Sequence, residues 1–206
     1  MRSPWGGPSP VVAPWMPDGW DDVAVQAARL LLARPPGLGQ VRLGVVDGPS
    51  GSGKSTFAQL WARALTAAGC ARVAVFSSDL LATWDDPFGW WGAFDEGVLR
   101  PLARHQPGRV QVTDWSSGVP ARGDWLDVPP VDALILEGVS CGRVALAGRE
   151  SVLIWVEVAD RQRRLGRAVS RDGEASRGLL AAWQHAEDSF FAGDGVKGRA
   201  DLRVYG

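Results

Sequence analysis

Gly48-Pro49-Ser50-Gly51-Ser52-Gly53-Lys54-Ser55-Thr56 sets two glycines around four residues and follows the second with Lys and a hydroxyl residue. That is the pattern of a phosphate-binding loop. Several backbone N–H groups must turn inward on an anion, in conformations and at a closeness that only glycine reaches without a Cβ clash. The helix that follows adds its positive N-terminal end. The candidate nucleotide ligands are Gly48, Ser50, Gly51, Ser52, Gly53, Lys54, Ser55 and Thr56. Lys54 would put a point charge on the β- and γ-phosphates, and the Ser55 hydroxyl would be a ligand for Mg²⁺.

The flanks agree. Val41, Leu43, Val45 and Val46 form a short apolar run ending at Asp47-Gly48, as a buried strand entering the loop should. Behind it, Phe57, Leu60, Trp61, Ala64 and Leu65 share one helical face, and Gly69 is placed to stop the helix. The only lysines in this Arg-rich chain are Lys54 and Lys197, so Lys at position 54 marks a need for a compact charge rather than a planar fork.

At 206 residues the chain is long enough to bury one substantial core. Its net charge of -1 supplies no global field to recruit nucleic acid or an anionic membrane, so any anion site is local. Cys70 and Cys141 form neither a metal spacing nor a disulfide framework, which suits a reducing cytoplasm. No apolar run approaches the roughly 20 residues that span a bilayer. Residues 1–20, rich in Pro, Gly and Trp, lack the layout of a signal peptide and are expected to be an irregular or partly disordered arm before a single domain over 21–206.

Along that domain, Asp21 to Arg34 reads as a helix closed by Pro35-Pro36. Val73 to Phe76 is a short strand ending in Ser77-Ser78-Asp79, which brings Asp79 to the side where α/β sheets gather ligands. Leu80 to Phe94, with Trp84, Asp85, Asp86, Trp90 and Trp91, reads as a long functional loop, and Asp95 to His105 as a helix. Val110 to Val112 is a strand leading to Asp114-Trp115, and Gly118 to Val128 is turn-rich. Ala133 to Leu136 ends at Glu137-Gly138; Val152 to Val158 and Leu202 to Tyr205 complete the strands. Strands separated by helices predict an α/β fold of the P-loop NTPase kind, with a five-stranded, mostly parallel sheet and helices on both faces.

Arg164, Arg167 and Arg171 fall at i, i+3 and i+7, so a helix presents all three on one face, which suits a phosphate chain whose charge moves during transfer. Leu179, Ala182, Trp183, Ala186 and Phe190 mark a final amphipathic helix, read as packing. His105 and His185 sit in polar helical settings and read as surface residues.

In this order the loop, Ser78-Asp79-Leu80, Trp84-Asp85, Asp114-Trp115, Leu136-Glu137-Gly138 and Arg164 to Asp172 resemble the uridine kinase group of small-molecule P-loop kinases, from about Val41 to Val204. In particular the chain looks like the uridine-kinase-like ATP-binding proteins of high-GC actinobacteria. The resemblance implies Mg²⁺-ATP as donor and a small-molecule alcohol, a nucleoside above all, as acceptor. It casts Asp79 as the acid that takes the proton of the attacking hydroxyl, Glu137 with Ser55 as the carboxylate near Mg²⁺, and the Arg164, Arg167 and Arg171 helix as a lid. Leu81 and Thr113 stand where the group often carries aromatics, which bears on nucleoside specificity.

Trp84, Trp90, Trp115 and Trp125 are candidate stacking faces for an acceptor ring, Trp84 and Trp115 foremost, and Asp114 could hold one of its hydroxyls. Three readings stand: a nucleoside kinase, a phosphotransferase acting on a pathway-specific or antibiotic hydroxyl, and a nucleotide-binding regulator without catalysis. GTPase switching is disfavoured because the chain contains no Asn for a guanine-recognition motif. Assembly with further copies of the chain is left open.

Overall fold

In the computed structural model, which describes residues 17–206, the chain begins with α1 (Trp20–Ala33), β1 (Arg42–Asp47), α2 (Lys54–Ala67) and β2 (Val73–Ser77). It continues through α3 (Trp91–Phe94), α4 (Arg100–Ala103), β3 (Gly108–Asp114), β4 (Ala121–Val128) and β5 (Ala133–Glu137). The last third holds β6 (Val152–Glu157), α5 (Arg161–Asp172), α6 (Arg177–Asp194), α7 (Val196–Arg199) and β7 (Leu202–Tyr205). Most of the expected arm, residues 1–16, lies outside the described residues.

Five strands form one parallel sheet in the order β2-β5-β1-β6-β7. The three central strands read as nearly unbroken apolar runs because both their faces are covered. Along β1 and β5, Leu43, Val45, Leu134 and Leu136 enter the core layer shared with Phe94, Val98 and Leu102. Val46, Ala133 and Ile135 enter the opposite layer, built with α1 and α2. There the α2 indole of Trp61 lies against the sheet, and a Cβ at Gly44 would sit 2.5 Å from its ring. The start of α1 is tied to β7 by the Trp20 indole N–H, which donates to the Tyr205 carbonyl at 3.0 Å.

Two segments differ from the sequence expectation. The stretch read as turn-rich up to Val128 contains β4, which pairs antiparallel with β3 as a separate ribbon. Nearly all of β4 is exposed or half-exposed, so it carries no apolar alternation by which to recognise it. The expected loop up to Phe94 ends in the first turn of a helix, α3, which runs through a π-helical turn at Asp95–Leu99 into α4. That turn buries Asp95 between Arg100, at 2.9 Å, and Arg149, at 2.6 Å.

α5 and α6 form a small cluster of their own, Leu165, Ala168, Val169 and Leu180, against Trp84. The buried side of α6 is Leu180, Gln184 and Glu187, while Leu179, expected inside, is 49% exposed. Two of the three inward residues are polar, so apolar periodicity points one residue away from the true face.

Candidate active site

Register brings the site together. Val46 of β1 is level with Glu137 of β5, and Glu137 with Ser77 of β2, so Asp47, Glu137 and the 3₁₀ turn Ser78–Leu80 leave the sheet side by side. Over them opens a cleft of about 820 Å³, floored by Ser50, Gly51, Gly53, Lys54, Ser55 and Thr56 and reached by Asp79 and Glu137. Gly51 and Gly53 have φ of 73° and 101°, and a Cβ on Gly51 would strike the backbone carbonyl of Arg164. Glycine is therefore required by backbone conformation and by the closeness of α5.

The buried Lys54 ammonium donates to the Pro49 carbonyl at 3.0 Å. The Ser55 hydroxyl donates to Glu137 Oε1 at 3.1 Å. Burial, and then the charge of Asp79, push the Glu137 carboxyl up to about 7, against the opposing pull of Lys54 and of hydrogen bonds from Ser77 and Ser55. Asp79 is exposed to the cleft on its 3₁₀ turn, its N–H donating to Ser77 Oγ at 3.4 Å. Gly48 and Ser52 lie beneath the loop surface; Ser52 is fully buried and neither lines the cleft.

Asp47 has a role the sequence reading did not assign. Its carboxylate accepts the N–H groups of Gly48 at 2.6 Å, Ser140 at 3.0 Å and Gly142 at 2.7 Å, binding the phosphate loop to the turn after β5. Burial still raises it, to about 6. Ser140 takes a positive φ of 67° in that turn, and Arg143 clamps it through the Ser140 carbonyl and hydroxyl while stacking on Trp90, Trp91 and Phe190. The signal was a buried acid at the end of an apolar strand, which costs too much unless it is bonded.

The three arginines expected on one face of α5 divide. Arg167 and Arg171 line the cleft, Arg167 donating to the Gly51 carbonyl at 3.3 Å and Arg171 forking onto Asp172 at 2.6 and 2.7 Å. Arg164 lies deeper, buried at 3.5 Å from the Ser50 carbonyl and 4.0 Å from Glu187 of α6. Burial lowers the affinity of the Arg164 guanidinium for its proton.

Opposite the loop, Trp84, Trp115 and Trp183 form an aromatic wall. Trp84 meets Trp115 at 5.6 Å and Trp183 at 5.5 Å between ring centroids, both nearly perpendicular. Trp183 was read as packing only. Asp114 does not line the cleft: its carboxylate takes the Ser116 N–H and hydroxyl at 2.9 and 3.0 Å, which holds it below the usual carboxylate range. The Thr113 hydroxyl donates to the Leu81 carbonyl at 3.2 Å, so the two positions lacking aromatics touch one another. His105 and His185 are exposed and do not line the cleft.

The donor set suits a hard cation. Ser55 and Glu137 offer oxygens side by side, and Mg²⁺ is commonly held by one or two protein oxygens together with phosphates and water. Among the described residues no cluster of His, Cys, Asp and Glu forms an all-protein metal cage.

No family model and no curated protein matches the chain. Solved structures do. A Bacillus stearothermophilus protein described as a "Possible Uridine Kinase" aligns with a TM-score of 0.64 at 16% identity, covering 89% of this chain and 98% of its own. A Silicibacter sp. TM1040 protein, provisionally described as a fructose transport system kinase, aligns with a TM-score of 0.59 at 19% identity over 89% and 98%. The chain shares the α/β fold of these two structures. Its P-loop is the one quoted above, and among the described residues no helix is long and apolar enough to cross a membrane.

Proposed function

We propose that the protein transfers the γ-phosphoryl group of ATP to a hydroxyl of a small molecule, with a nucleoside as the leading acceptor. The observation that carries this reading is one cleft in which the phosphate loop, the Ser55–Glu137 pair and the free face of Asp79 meet below an aromatic wall. Phosphoryl transfer needs in-line positioning and neutralisation of charge more than covalent help. Lys54, the loop amides, Arg167 and Arg171 neutralise the phosphate chain. Asp79 orients the acceptor hydroxyl and takes its proton. Ser55 and Glu137 would hold Mg²⁺, which would supply further neutralisation of the phosphate charge. Trp84, Trp115 and Trp183 give a flat acceptor group its stacking faces. Arg164 serves the site by supporting the loop at Ser50.

A second acceptor class, a non-nucleoside alcohol, is favoured by the Thr113–Leu81 hydrogen bond and by the engagement of Asp114 with Ser116. Both occupy positions that the uridine kinase resemblance reserves for acceptor recognition. A screen of nucleosides, sugars and other small alcohols for stimulated ADP release from Mg²⁺-ATP tests the reading. Release with one acceptor class is expected; ATP binding with no acceptor response would instead favour a nucleotide-binding regulator.

A further inference from the structure

Glu187 is fully buried on α6, yet its carboxylate reaches the phosphate loop. Both oxygens converge on Ser50, taking its N–H at 3.0 and 3.2 Å and its hydroxyl as well. The Trp183 indole, one turn earlier, donates to it too. Two cations bear on it: Lys54 from α2 and Arg164 from α5, the latter ringed in turn by Asp188, Arg161 and Glu157. Ser50 itself lines the cleft. A buried acid is therefore bonded to the phosphate cradle and draws on Lys54, the cation that the cradle offers its ligand.

Two anions that share Lys54 in a poorly solvated site repel one another. Protonating the acid removes that competition without changing its volume. We infer that Glu187 is a positioning residue that holds Ser50 in the loop and sets the affinity for nucleotide through its own charge. This rests on the reading of the loop as an ATP site. Burial pushes the Glu187 carboxyl up to about 7, and a bound phosphate chain raises it further. Affinity for ATP is thus higher below neutrality and falls as pH rises beyond it. The fall is about tenfold for each unit by which nucleotide raises the acid.

The test is ATP binding by calorimetry from about pH 6 to about pH 9, for wild type and Glu187→Gln. EDTA keeps the Ser55–Glu137 pair free of metal. Titration of ATP's own phosphates is common to both proteins and cancels in the ratio of their Kd values. That ratio, wild type over variant, is expected near one at the acid end and about ten at the alkaline end, where the variant binds tighter. Ser50→Ala, which keeps the Glu187 charge, is expected to retain the wild-type trend. Should Glu187→Gln prove unfolded by circular dichroism, Glu187→Met, uncharged and of similar volume, carries the same expectation. A flat ratio, or weaker binding by the variant at the alkaline end, overturns the role of Glu187 and leaves the donor site standing. Failure of the wild type to bind ATP at any pH overturns both.

Discussion

Three backbone N–H groups converge on Asp47, which touches no solvent. Removing their common acceptor leaves buried donors unpaired, so Asp47→Ala is expected to cost about 3 kcal/mol and to lower Tm by roughly 6–12 °C. A thermal scan that places the variant within a degree or so of wild type would refute this account of the loop's support. The residues proposed to act on substrate behave differently. Asp79→Asn is expected to slow phosphoryl transfer by about 10²–10⁴-fold while ATP affinity changes little, because the side chain is exposed and holds no loop residue; equal losses in both would make Asp79 structural. Lys54→Ala is expected to lower turnover by at least about 10²-fold, read in the same ADP-release assay, with the far-ultraviolet spectrum of the fold retained.

The bond between element and sequence is tightest where β1 meets α2. Gly44→Ala forces a methyl group into the Trp61 ring and is expected to cost about 1–3 kcal/mol in a denaturant melt, although its backbone conformation is open to any residue. The sheet strands and α2 could be read in advance because each is apolar on a regular period and the loop between β1 and α2 has a composition few other functions require. Asp79 and Glu137 were also legible, as acids at strand ends. β4, the inward face of α6 and the grip of Asp47 were not. β4 is too exposed to carry an apolar period, and the other two depend on a polar group satisfied by a partner far away in sequence: Glu187 by Ser50, Asp47 by Ser140 and Gly142. Periodicity reports where apolar side chains go and is silent about such pairs.

Across the molecule the buried acids set the pH response. Asp47, Glu137 and Glu187 stand at about 6, 7 and 7, above their ordinary values of 3.8 and 4.5. Their folded forms favour the proton, so their contribution to stability is full below those ordinary values and is lost as pH rises through 6 to 7. The acids held low, among them Asp132 by Arg72, Glu157 by Lys197 and Asp114 by Ser116, lose theirs only on the acid side. Tm of the ligand-free protein is therefore expected to peak near pH 4, close to those ordinary values, and to decline toward pH 7; a calorimetric Tm rising across that interval would contradict it. The protein also carries its own detector. Trp84, Trp115 and Trp183 are close enough for their ring transitions to couple, so their near-ultraviolet circular dichroism depends on mutual orientation. A molecule that enters between wall and loop changes that signal whether or not it is phosphorylated. Subtracting the spectrum of a Trp183→Phe variant isolates the change from the remaining indoles, and the acceptor can be sought by light alone, before any turnover is seen.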